Sequence, residues 1–145
     1  DEIFRGAARS CRSTRGVVMA LARLDWSQSG IEYAGIGNIE SKIVNGPSTQ
    51  GFISRRGIVG LNAPRPLVTR NPWSPGHILV MYSDGLSSHW NWRDFAGLAE
   101  EPAGVLARHL LLKLAKDNDD ATVLVVKTKT RGHDIPSGAA LTEAG

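Results

Sequence analysis

Cysteine occurs once, at Cys11, so no disulfide can close within the chain, and the four scattered histidines offer no zinc-ligand spacing. That usage fits a reducing cytosol. No apolar run approaches the roughly 20 residues needed to cross a bilayer. The opening residues also lack the charged start, apolar run and small-residue cleavage site of a secretory leader. A cytoplasmic protein with no membrane partner is expected. Internal repeats are absent. Charge is not concentrated in one sign either: 17 basic residues against 14 acidic give a net +3. Arg5, Arg9, Arg12 and Arg15 form the single basic cluster, spaced as a solvated helix face, so nucleic acid is not an expected partner.

What is present suffices for one core: 145 residues, 41% of them hydrophobic, make one domain and not two. The chain starts at Asp1 rather than Met, and its first stretch reads as a helix entered partway, so a part upstream is expected. Ile3, Ala7, Ala8 and Cys11 share one face of a helix over residues 2–12. Strands over 17–24 and 31–36 follow as a hairpin. Gly35-Ile36-Gly37-Asn38 looks like a phosphate-binding glycine loop, yet residues 39–44 alternate as a strand and no helix opens there, which excludes a dinucleotide fold. Asn45-Gly46 turns the chain back through residues 51–54. Residues 55–74 read as an irregular crossing punctuated by glycine and proline.

The stretch from His77 to Gly85 organises the rest. Its apolar run is too short for an ordinary helix and rich in β-formers, so it reads as a strand covered on both faces that ends in Asp84. A carboxylate delivered to the edge of a core is costly unless it meets donors or a cation. His89, Trp90 and Trp92 cap the core there without a catalytic role. Residues 102–116 form the best-defined helix, with Ala103, Leu106, Ala107, Leu110, Leu111 and Leu114 in one stripe and His109 facing solvent. Asp117 to Asp120 closes it, and residues 121–127 read as a second doubly covered strand. The folded domain is expected over 1–128, with 129–145 a disordered tail.

If the two buried strands are antiparallel neighbours, Asp84 leaves one beside the point where Asp119 and Asp120 enter the other. Such carboxylates raise one another's pKa unless cations intervene, and all-oxygen donors favour Mg2+ or Mn2+. On its own, the DNDD run reads more readily as a simple turn.

Ser83-Asp84-Gly85 after an apolar strand, with DDATVLV from Asp119 to Val125, resembles the two late motifs of the PPM, or type-2C, metal-dependent serine/threonine phosphatases. Thr14-Arg15-Gly16, Tyr33 to Asn38, Ser54 through Gly57 to Gly60, and Trp73 to Gly76 are similar, in the same order, to the bacterial SpoIIE and RsbX-like branch. The resemblance implies an α+β fold, an antiparallel β-sandwich flanked by helices (α-β-β-α), of which this chain is a C-terminal portion lacking the early strands. It implies a pair of Mn2+ or Mg2+ ions, with Asp84 and Asp119 acting catalytically through metal-activated water. Asp84, Asp119 and the neighbouring Asp120 would be the metal residues, supported by Ser83, Gly85, Gly37 and Asn38. The implied substrate is a phosphorylated anti-sigma-factor antagonist or stressosome protein, and an ATP-binding anti-sigma kinase module upstream is an implied partner. The family's earlier Asp-Gly motif has no counterpart; Asp25 precedes Trp26 at a hairpin. A noncatalytic regulatory domain on the same fold is the alternative.

Overall fold

The computed structural model describes residues 1–128; the expected tail from 129 lies outside them. Two antiparallel sheets stack face to face and each is covered outside by a helix. One sheet has the order β1 (Met19–Asp25), β2 (Gly30–Ile36), β5 (Thr69–Pro72). The other runs β4 (Ser48–Gly51), β3 (Glu40–Asn45), β6 (Ile78–Tyr82), β7 (Val123–Lys127).

Strand periodicity accounts for the layers, because alternate side chains point to opposite faces. Along β6, Leu79 and Met81 meet Ile31, Tyr33, Ile43 and Trp73 between the sheets. Ile78, Val80 and Tyr82 point the other way, onto Leu106 and Leu110 of helix α2 (Ala103–Leu114) and onto Trp92 and Phe95. Outside the first sheet, Ala34 and Ile36 of β2 pack against Phe4, Ala7 and Ala8 of helix α1 (Glu2–Ser10). All five residues of β6 are buried, as its composition required.

Several sequence expectations change. On α1, Phe4 takes the buried position and Ile3 is 63% exposed, because the helix meets the sheet on the Phe4–Ala7–Ala8 side. The strand returning from Asn45-Gly46 occupies Ser48–Gly51 rather than 51–54. Within the supposedly irregular crossing, Thr69–Pro72 pairs with β2 through its backbone. Trp92–Leu98 is a 3-10 helix started by the Asn91 side chain, which accepts from the Arg93 N–H. Strand β7 is an edge strand: Val123 and Val125 face α2, but Leu124 is 52% exposed because the shorter opposing sheet does not cover it. Trp92 is buried and Trp90 packs beside it, in the core-capping role expected, while His109 faces solvent.

Candidate functional site

The turn after β2 is fixed before it presents any chemistry. Gly37 adopts φ +105°, a conformation that disfavours side chains, and a Cβ there would overlap Val18. Its N–H donates to the Arg55 carbonyl at 2.9 Å, while the Arg55 N–H donates to Gly35 at 2.9 Å. Beneath the turn lies a polar network. Tyr33 Oη is 2.8 Å from Ser54 Oγ and accepts from Ser41 Oγ at 3.2 Å, and Ser54 Oγ donates to the Ile39 carbonyl at 3.1 Å. Held in this way, Asn38 extends its amide, which donates to Asp84 Oδ2. Asn38 was anticipated as a support; its bond across 46 positions of sequence was not.

Asp84 leaves β6 as β7 arrives antiparallel, with Tyr82 opposite Val123. The pairing continues beyond the strands. Ser83 N–H donates to the Thr122 carbonyl at 3.1 Å, and Thr122 N–H donates to Ser83 Oγ at 2.9 Å. Ser83 Oγ in turn donates to the Asp120 carbonyl at 3.4 Å. Gly85 lies so close that a Cβ would sit 2.7 Å from the Asp120 carbonyl carbon and 3.0 Å from Ala121 Cα. The two acidic corners are therefore neighbours through their backbones. Their side chains are not joined in the same way: the Asp119 carboxylate accepts from the Asp120 N–H at 2.9 Å, and both residues are exposed.

The exit of α2 braces this corner. Lys116 Nζ donates to the Asp84 carbonyl at 2.6 Å and Lys116 N–H to the Gly85 carbonyl at 2.9 Å. The tie of Lys116 to Asp84 spans 32 positions and had no local signal in the sequence. Beside Asp84 opens a cavity of about 610 Å3, lined also by Asn38, Glu40, Ser54, Arg56 and Ile58. Neither Asp119 nor Asp120 lines it. Glu40 accepts from Tyr82 Oη at 2.7 Å, and burial, aided by that bond, pushes the Tyr82 phenol up from its ordinary value. Lys42 lies 4.3 Å from the Trp90 ring centroid, and burial pushes its ammonium down while Glu40 pulls it back up.

The donor chemistry suits a hard divalent cation, since carboxylates and an amide oxygen gather here without imidazole or thiolate. The donor count does not: among the described residues no three of His, Cys, Asp or Glu converge as a metal group. No helix among the described residues is long and apolar enough to cross a membrane.

Two antiparallel sheets between helices, with an aspartate corner where β6 ends, define the fold class of the metal-dependent type-2C protein phosphatases. The phosphatase domain of the cell fate determinant SpoIIE from Bacillus subtilis superposes with TM-score 0.64 over 99% of this chain and 77% of its own, at 19% identity. RsbX in complex with magnesium does so at 0.65, over 85% and 61%, at 15% identity. At those identities the likeness is one of fold. A chain from the bacterial stressosome, described as a modular system adapted to control secondary messenger signaling, is 30% identical with TM-score 0.78 over 86% of this chain. This chain spans 65% of that relative's length. The sequence belongs to the Stage II sporulation protein E (SpoIIE) family, which matches residues 1–129. Among curated proteins, none matches.

Proposed function

We propose that this chain is the C-terminal portion, folded over 1–128, of a protein phosphatase domain that releases phosphate from serine or threonine on a bacterial regulator. The observation that carries the reading is the backbone apposition of Gly85 and Asp120, which makes neighbours of two acidic corners 35 positions apart in sequence order. Family membership supports the same reading. The regulator is an anti-sigma-factor antagonist or stressosome protein. Support for that class comes from the stressosome relative and from the RsbU and RsbW domains of Rv1364c from Mycobacterium tuberculosis, which share the fold at TM-score 0.66 and 20% identity. An ATP-binding anti-sigma kinase module is the corresponding upstream partner.

Asp84 and Asp119 would hold Mn2+ or Mg2+, with Asp120 alongside. When bound, such a cation lowers the pKa of coordinated water and offsets charge on phosphoryl oxygens. The chain's own contribution is orientation. Asn38 fixes one Asp84 oxygen, Lys116 holds the Asp84 backbone, and Gly85 admits the Asp120 chain. Ser83 is not a nucleophile in this scheme: its hydroxyl is engaged by Thr122 N–H and the Asp120 carbonyl, and among the described residues no imidazole hydrogen-bonds it.

The incomplete donor set favours a second reading, a noncatalytic regulatory domain that binds the same class of partner. Release of phosphate from a phosphoserine peptide in the presence of Mn2+, abolished in Asp84→Asn, supports the first. Binding of the phosphorylated regulator by the full-length protein without any release supports the second.

A further inference from the structure

Arg56 lines the cavity beside Asp84 and is exposed. The other arginines that meet carboxylates are spent on them: Arg5 on Asp1, and Arg23 and Arg70 on Glu32. Arg56 makes no ion pair among the described residues, although its cavity contains two carboxylates. Both are otherwise engaged, Asp84 by Asn38 and Glu40 by Tyr82.

The backbone carrying Arg56 is held on both sides. Preceding it, Arg55 exchanges hydrogen bonds with Gly35 and Gly37 at 2.9 Å each, the same turn that presents Asn38 to Asp84. The Arg55 guanidinium is taken up by the Arg65 carbonyl at 3.1 Å. Following it, Gly57 takes φ +146°, and a Cβ there would sit 2.9 Å from Pro64 Cδ. A single turn thereby sets the positions of both Asp84 and the Arg56 backbone. The cavity is also lined by the apolar side chains of Val18, Phe52 and Ile58, of which Val18 and Ile58 are each 36% exposed.

A guanidinium presents a planar fork of donors that matches two oxygens of a phosphate monoester, and it stays charged at every physiological pH. The apolar wall suits the residues flanking a phosphorylated side chain in a protein segment. We propose that Arg56 binds the phosphoryl oxygens of a phosphoserine or phosphothreonine segment entering this cavity, and so selects the phosphorylated form. This assignment rests on the phosphatase reading for the identity of its ligand.

The test compares wild type, Arg56→Ala and Arg56→Lys for binding of a fluorescent phosphoserine peptide and its unphosphorylated counterpart, with Mn2+ present. Arg56→Ala is expected to weaken the phosphopeptide by about tenfold or more, the scale of a lost charge-assisted pair, and to leave the unphosphorylated peptide unchanged. Arg56→Lys restores part of the loss, because the charge returns without the fork. Inorganic phosphate as competitor displaces the phosphopeptide from wild type; its failure to do so places the contact on the peptide and overturns the assignment. Equal phosphopeptide affinity in wild type and Arg56→Ala, or equal loss for both peptides, overturns it as well. In turnover, KM rises more than kcat falls. Arginine-dependent binding without any phosphate release contradicts catalysis and leaves the Arg56 assignment standing. Turnover with an unchanged KM in Arg56→Ala does the reverse.

Discussion

Gly85 and Asp120 touch backbone to backbone, at a separation that leaves no room for a methyl group. Substituting Gly85→Ala forces the Asp119–Asp120 corner away from Asp84 or distorts the end of β6. Overpacking of this kind costs about 1–3 kcal/mol. Urea unfolding is expected to show that loss, with the m-value unchanged.

Tyr33 anchors the polar network under the Gly35–Asn38 turn. Ser41 is 2% exposed and donates to Tyr33 Oη, so Tyr33→Phe strands a buried hydroxyl. The expected loss is about 1–3 kcal/mol. Adding Ser41→Ala in the Tyr33→Phe background removes the stranded group and recovers part of the loss. A double-mutant cycle by denaturant unfolding measures the coupling.

Tyr82 makes a prediction about alkaline pH. Its phenol is buried, donates to Glu40, and is held above the ordinary 10.0. The folded state therefore keeps a proton that the unfolded chain releases above about pH 10, and the unfolded state then binds fewer protons. This contribution is complete below pH 10 and declines as pH rises, by up to about 1.4 kcal/mol per pH unit. Tyr82→Phe loses the Glu40 bond, about 1 kcal/mol at pH 7, but escapes the alkaline decline. Unfolding curves from pH 7 to 11.5 are expected to bring the two proteins together as pH increases.

Where burial follows from pattern, the sequence was legible. The five apolar residues of β6 and the Leu106–Leu110 stripe of α2 can be satisfied in few ways, and both lie where their periodicity puts them. Strand β5 was not legible, because Thr69-Arg70-Asn71-Pro72 has no alternation and is held by backbone pairing with β2. The exposure of Leu124 depends on how far the opposite sheet extends, which no local signal records. At the site, Asp84, Gly85, Asn38 and Gly37 were found through motif resemblance, and the structure brings them together. Lys116 escaped notice because its tie to Asp84 arises from a contact across the fold, and Arg56 because its place beside Asp84 follows from the backbone bonds of Arg55, which no local signal records.

The central claim is that the corner at Asp84 and the corner at Asp119–Asp120 face one divalent ion. Paramagnetic broadening of backbone amide signals on titration with Mn2+ tests it directly, because even weak occupancy broadens nearby resonances. The account predicts that residues 37–38, 84–86 and 119–121 broaden together, and that Asp84→Asn abolishes the effect in all three segments. Broadening confined to one segment, or centred elsewhere and insensitive to Asp84→Asn, would contradict it.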